Sequence, residues 1–482
     1  MTPNRRFSFR PLARSRGCRS WKVLLGITMA YVLLEGALRK WALPQYSAQL
    51  FVVKDVLLAA VYLMYFLGGR EPHARGRAAH PLLFLMGALG TLAALQCFSP
   101  LVGDLRVALI SARYYLICLP LVVVTARAFT SVDGLLRAGY WYSLTAIPLG
   151  LIGIIQTLSS PDSWINRYAW NTGMTTEGTG PATYGIATYG QMGLVRVTST
   201  FSYISPYGTY LVFVAAVSLA VLVQARGRVR RGLLCGVLAL SVINAVMTGS
   251  RGPLFDLAIL LAVVLAGGVL QTTGVGRLGP TIVVVAALVS FVAMWVVPDV
   301  FEAFQQRVET AGDEEGRLMG VVLRPFSTLR DGPLIGAGTG STFAAAGEAF
   351  ENPDLRPWFP DWSEVHHDRV GWELGALGLL LELGIRGITI LGLVRLIRTV
   401  RARAMRLTAL VLLGYQATFL YSIPVYNSLA MLYFCFSCGV YLFLERAALS
   451  ERVGTGRRTQ QSGERARPAG SSVGQGVTTR WV

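Results

Sequence analysis

An all-α protein that crosses a membrane many times is what this sequence predicts, on three observations. Its 482 residues are 53% hydrophobic and only 15% charged, with a mean hydropathy of +0.51, a balance too apolar for a soluble protein of this length. The apolar residues come in blocks of roughly 20, the length a helix needs to span a hydrocarbon core about 30 Å thick. Only a helix satisfies its backbone amides inside a single such segment. Arginines gather in the short connections between blocks, which is the bias that insertion imposes on cytoplasmic loops.

Taken in order, residues 1–20 are a basic N-terminal segment carrying Arg5, Arg6, Arg10, Arg14, Arg16 and Arg19. The transmembrane domain, 21–444, then holds about twelve spans, near 21–37, 49–68, 81–98, 106–125, 138–158, 207–225, 232–249, 252–270, 280–298, 371–394, 405–425 and 428–444. The first block follows a basic stretch, lacks a small-residue cleavage site and is succeeded by another span, so it reads as an anchor and not as a removed signal peptide. With the N-terminus in the cytoplasm, the clusters Arg70, Arg75, Arg77; Arg226, Arg228, Arg230, Arg231; and Arg395, Arg398, Arg401, Arg403, Arg406 all fall inside, and an even number of spans puts the C-terminus there too.

Two outer connections are long, 159–206 and 299–370, and loops of that length are usually functional or disordered. The first is rich in aromatic residues, glycine and threonine (Trp164, Tyr168, Trp170, Tyr184, Tyr189). The second has amphipathic stretches at 300–308 and 318–329 and a glycine cluster, Gly336, Gly338 and Gly340, which together predict an ordered cap lying on the membrane. The tail 445–482 is rich in Arg, Gly, Ser and Gln, cannot bury a core, and reads as disordered and cytoplasmic. The two halves show no repeated span pattern of the kind a duplicated transporter often carries.

The net charge of +18 follows the loops, so it reports topology and excludes a nucleic-acid partner as its explanation. None of the six cysteines lies in a long polar loop, which argues against a disulfide framework. Cys435 and Cys438 form a CxxC inside the last apolar block with no histidine nearby, which reads as small membrane-helix packing and not as a metal or redox site.

Several charged residues stand where insertion disfavours them. Arg251, after Thr248, Gly249 and Ser250, lies where the seventh span leaves the membrane on the outer face, and Arg196 lies just before the sixth span on the same face. An arginine there either snorkels to lipid head groups or binds a phosphate ligand, for which the guanidinium fork is well shaped. In the long loop Arg307, Arg317, Arg324 and Arg330 alternate with acids; Arg317, opening an amphipathic segment, is the best candidate ligand among them. Glu364, His366, His367, Asp368, Arg369 and Glu373 crowd the point where the chain re-enters the membrane. A histidine suits a general base near neutral pH, and Arg369 and Glu373, four apart, share a helix face and can pair. Metal ligation there lacks a patterned third ligand. Glu382 with Arg386, Glu35, and Lys54-Asp55 are charges in or beside apolar blocks, expected to neutralise one another between helices.

Taken as an ordered set, Arg196-Val-Thr-Ser-Thr-Phe201, Thr248-Gly-Ser-Arg-Gly252, Arg317 with Pro333-Leu-Ile-Gly-Ala-Gly-Thr-Gly340, and Arg369-Val-Gly-Trp-Glu-Leu-Gly375 resemble the O-antigen ligase and polymerase superfamily, over residues of about 190–395. The resemblance implies a GT-C-like, metal-independent glycosyltransferase of the bacterial inner membrane, without a cofactor. Such an enzyme moves an oligosaccharide from undecaprenyl diphosphate to a hydroxyl acceptor, and a polymerase is favoured over a ligase. By resemblance Arg196 and Arg251, with Arg317 and Arg369, hold the diphosphate. His366, His367 or Glu373 prepares the acceptor, and the choice stays open because His367 precedes Glu373 by fewer residues than the family pattern has. Glu35-Gly-Ala-Leu-Arg-Lys-Trp41 and Lys54-Asp55 resemble a subgroup of these proteins without implying a role. The alternatives are a transporter or flippase of a lipid-linked glycan and a non-catalytic membrane subunit.

Overall fold

The computed structural model describes residues 20–68, 80–168, 188–189, 194–270, 326, 328–330, 332–343, 366–420 and 427–465. Outside these lie the expected span 280–298, Arg317 with Arg307 and Arg324, Glu364, the stretch 300–308 and most of 318–329, the two N-terminal-half arginine clusters before Ser20 and after Gly68, and the end of the tail. The side chain of His366 lies outside them as well.

The described chain is helical apart from loops and one short hairpin, in which Thr188 pairs with Val195 and Tyr189 with Leu194 in antiparallel register. The helices are α1 Ser20–Ala37, α2 Ser47–Leu67, α3 Pro81–Leu95, α4 Leu105–Leu116, α5 Leu121–Ala128, α6 Val132–Leu144, α7 Ala146–Leu158, α8 Ile204–Leu222, α9 Arg228–Met247, α10 Arg251–Leu270, α11 His366–Thr399, α12 Arg403–Thr418 and α13 Ser428–Arg465. Joined across short breaks, they give ten segments among the described residues that are long and apolar enough to cross a membrane. At 16 residues α12 is shorter. The chain is therefore a multi-pass, all-helical membrane protein.

The breaks have local causes. Pro120 cannot donate an amide to the end of α4, so the fourth segment is interrupted between Leu116 and Leu121. Pro148 withholds another donor just after the α6–α7 junction, where the Thr145 hydroxyl turns back to the Tyr142 carbonyl at 2.6 Å. Asp104 caps α4, its carboxylate accepting from the Arg106 amide at 2.7 Å. The neighbouring Arg106 guanidinium holds that carboxyl below its ordinary range.

Contacts between helix ends show that successive segments run up and down. Trp21 packs edge-on against Tyr65, His80 reaches Glu445 at 3.0 Å, Arg446 donates to the Phe129 carbonyl, and Gln224 meets Thr408 at 3.2 Å. All of these lie at one end of the bundle, here the basic face, which also carries Arg226, Arg228, Arg230, Arg231, Arg395, Arg398, Arg401 and Arg403. The opposite face collects the end of α1, the end of α3, the α9–α10 turn and the starts of α8, α11 and α13, as the Lys40–Thr198, Gln96–Thr339, Val197–Met247 and Asn427–Thr209 contacts show. The first turn of α1 and the Glu445 level of α13 thus share a face. α10 ends at the basic face, where Gly267 touches Leu410, whereas α11 begins at the opposite one.

Two findings differ from the sequence reading. α13 continues to Arg465, well past residue 445 where a disordered tail was expected: a polar stretch that buries no core can still prolong a helix already nucleated by packing, since propagation escapes the nucleation cost. The span expected near 371–394 belongs to α11, which is broken at Gly375, φ 74° and ψ −176°. A side chain there is excluded twice, by the positive φ and because its Cβ would lie 2.3 Å from the Leu334 carbonyl oxygen.

Candidate functional site

The opposite face holds two polar assemblies. The first is built on the α9–α10 turn. Val197 donates its amide to the Met247 carbonyl at 3.1 Å, laying the 196–200 segment along the end of α9. Arg196 then reaches over that end, Nε to the Thr248 carbonyl at 3.0 Å and Nη2 to the Gly249 carbonyl at 3.3 Å. A cation at a helix C-terminus is favourable in its own right, so Arg196 has a structural task. Among the described residues these bonds use two of the five N–H groups a guanidinium offers, and the side chain is half-buried. Arg251, also half-buried, is the first residue of α10, two positions beyond the carbonyl that Arg196 grips. Two guanidinium-bearing residues and the positive end of a helix therefore meet at one turn.

Beside this turn lies the N-terminal motif. Arg39 donates to Glu35 at 3.1 Å, to Ser47 at 3.0 Å and to Ser202 at 2.9 Å. Lys54 stands 3.6 Å from Glu35, and Asp55 pairs with Arg113 at 3.0 Å. Lys40 donates to the Thr198 hydroxyl at 3.0 Å and to the Ser199 carbonyl at 2.5 Å. The neutralisation expected of Glu35, Lys54 and Asp55 is present. Arg113 on α4 supplies the partner that the sequence did not reveal.

The second assembly surrounds Glu373, which is fully buried. Tyr115 donates to its Oε2 at 2.9 Å, and Thr342 donates to Oε1 from its hydroxyl at 2.6 Å and its amide at 3.3 Å. The main chain of 372–377 pairs with 333–338: Ala337 to Trp372, Gly338 to Glu373, and Ala376 to Pro333. The loop Pro333–Gly340 thus fills the notch that the Gly375 break opens, and Gln96 and Ser99 secure it from the other side through Ile335 and Ala337. Because of the break, His367 reaches Arg386, Nε2 to Nη1 at 3.3 Å, across 19 residues. A straight helix would separate them by about 28 Å, so the first turns of α11 fold back. An arginine only donates, so in this contact Nε2 of His367 is the acceptor. Arg386 also bonds Glu382 at 2.7 Å, the pair expected from the four-residue spacing, and the Phe419 carbonyl at the end of α12. Asp368 accepts from Thr328 at 2.7 Å, and half-buried Arg369 follows it on the first turn.

The structure thus places Arg196 and Arg251 at one turn, and His367, Arg369 and Glu373 along the folded-back start of α11, where His367 and Glu373 bond different partners. The two assemblies are joined through α4, where Arg113 bonds into one and Tyr115 into the other. Sequence reading missed Tyr115, Gln156 and Asp256. Tyr115 carries no sequence signal. Asp256 lies five residues beyond Arg251, buried, with Oδ1 lacking a hydrogen-bond partner among the described residues. A lone carboxylate in the apolar run 252–270 was the available clue.

Among the described residues no three His, Cys, Asp or Glu side chains form a metal-sized cluster, and Cys435 and Cys438 are free, buried thiols. A cavity of about 520 Å³ lies nearer the basic face, between α1, α6, α8, α12 and α13, lined chiefly by Leu, Val, Ala and Phe side chains with Lys22 at one end. No protein-family model matches the chain, and no curated protein matches it.

Proposed function

We propose that the chain is a membrane glycosyltransferase that moves an oligosaccharide from undecaprenyl diphosphate to a hydroxyl acceptor in O-antigen or exopolysaccharide synthesis, as a polymerase ahead of a ligase. It works without a metal on the non-cytoplasmic face of the bacterial inner membrane, with about twelve spans. The basic face is then cytoplasmic, as the arginine bias demands.

The observation that carries this reading is the meeting of Arg196 and Arg251 at the N-terminus of α10, on the face that the arginine clusters avoid. Breaking the glycosidic bond sends its electron pair to the diphosphate oxygen, and fixed guanidinium groups in a partly dry setting stabilise that growing charge more than the ground state. Arg317 and Arg369 are proposed to add to this grip. The acceptor hydroxyl attacks the anomeric carbon and gives up its proton. Glu373 and His367 are tied into the scaffold by Tyr115, Thr342 and Arg386, which leaves His366, at the start of α11, as the proposed base. The apolar cleft suits the far part of a prenyl chain.

Mass-resolved lipid extracts from a deletion strain test the assignment. Undecaprenyl-linked repeat units accumulate on the non-cytoplasmic side, wild-type chain clears them, and Arg251→Ala does not. Clearance by Arg251→Ala removes the reading in favour of a transporter or a non-catalytic subunit.

A further inference from the structure

The N-terminal motif has no part in the chemistry proposed above, yet its side chains converge on the segment that carries Arg196. Ser199 is the positive-φ residue other than glycine among those described, at φ 48°, a conformation that costs about 1–2 kcal/mol for an L-residue and persists only where its surroundings enforce it. Every polar atom of Ser199 is engaged. Its amide donates to Gln156 Oε1 at 2.7 Å, its hydroxyl to the Leu149 carbonyl at 2.7 Å, and its carbonyl accepts from Lys40 Nζ and from Gln156 Nε2 at 3.5 Å. On either side, Thr198 accepts from Lys40, Thr200 donates to the Leu33 carbonyl at 2.6 Å, and Ser202 accepts from Arg39. Gly36 permits the approach, since a Cβ there would lie 2.3 Å from the Ser202 amide.

Among the described residues the Lys40 amine meets a hydroxyl, a carbonyl and the Trp41 ring, 4.7 Å away. It is buried with its donors spent on the segment, so it is not itself a ligand for an anion. A fully desolvated lysine without a carboxylate is costly to bury, and its partners are the very backbone that sets the direction of Arg196.

We infer that the motif Glu35–Trp41, with Gln156, is a clamp that holds residues 197–202 in their strained course and thereby aims the Arg196 guanidinium at the α9–α10 turn. Lys40, Arg39 and Gln156 are positioning residues that act through Arg196. Lys54, Asp55 and Arg113 hold Glu35 and α2 in place behind them. The inference deepens the donor-site reading, and its geometric part stands independently of that reading.

The test uses the full chain in nanodiscs. Lys40→Met keeps the stem and removes the ammonium. Hydrogen–deuterium exchange of the peptide covering 197–203 is expected to rise about 10- to 100-fold, the scale of one lost hydrogen bond to a charged group, while exchange in α8 and α9 and the unfolding midpoint hold. Binding of undecaprenyl diphosphate, the probe, weakens to the level of Arg196→Ala, and the double variant is no weaker than either. If Lys40→Met fails to fold, Thr198→Val, which removes one acceptor without changing shape, is expected to give the same local pattern at smaller amplitude. Unchanged exchange at 197–203, or losses that multiply in the double variant, overturn the clamp. A wild-type chain that does not bind the lipid overturns the donor assignment alone, and the exchange result still decides the clamp.

Discussion

Replacing Glu373 separates a scaffold role from a catalytic one. Its carboxylate is fully buried and, among the described residues, accepts hydrogen bonds twice from Thr342 and once from Tyr115. Glu373→Ala strands all three donors where water does not replace the lost acceptor and frees Pro333–Gly340 from the α11 notch. Hydrogen bonds between membrane segments average about 0.6 kcal/mol each, whereas each buried donor left unsatisfied costs about 1–3 kcal/mol, so the loss is expected at roughly 2–5 kcal/mol. Glu373→Gln keeps one acceptor oxygen but turns an NH₂ toward a donor, and should lose about half as much. Denaturant titration of the detergent-solubilised chain reads both. Transfer activity, scaled to the folded fraction, is expected to survive in Glu373→Gln. Refutation comes from Glu373→Ala within 0.5 kcal/mol of wild type, about the noise of a surface change, or from a fully folded Glu373→Gln without any activity, which makes Glu373 the base.

Other perturbations follow from the same geometry. Gly375→Ala meets both the positive φ and the Leu334 carbonyl, and should cost about 2–4 kcal/mol by the same titration, while Gly387→Ala, where a Cβ finds open space, should be neutral or slightly stabilising. His366→Ala is expected to lower turnover about 10²- to 10⁴-fold, the range of a lost general base, with donor binding intact. His367→Ala should instead destabilise the chain by leaving buried Arg386 short of an acceptor, with turnover falling only as the folded fraction falls; the opposite ranking in single-turnover assays moves the base to His367. Asp55→Asn removes the charge opposite Arg113, and should weaken unfolding resistance by about 3 kcal/mol, measurable as a lower unfolding midpoint.

What the sequence conveyed depended on whether the cause was local. Apolar run length located the crossing helices because the bilayer imposes a length on each one separately. The pairing of Glu382 with Arg386 was legible because four residues is one helical turn. The fold-back of α11 was not, since hydropathy averages across Gly375 without sensing its φ, and so the meeting of His367 with Arg386 stayed hidden. Lys40 and Thr198 lie 158 residues apart, and no periodicity links them. The alternation of spans put Arg196 and Arg251 on one face, but not the carbonyls that Arg196 grips. Arg317 and the side chain of His366 lie outside the described residues, whereas Pro333–Gly340 and Thr342 of the same loop are bonded to the Glu373 assembly.

The central claim is that Arg196 and Arg251 form a receptor for a lipid-borne diphosphate. Titrating the purified chain with undecaprenyl diphosphate and with undecaprenyl monophosphate tests it most directly. The account predicts binding about tenfold or more tighter for the diphosphate, lost in Arg251→Ala and poorly restored by Arg251→Lys, because a point charge does not reproduce the fork. Equal affinity for the two lipids, or an Arg251→Ala chain that binds as wild type does, would contradict it.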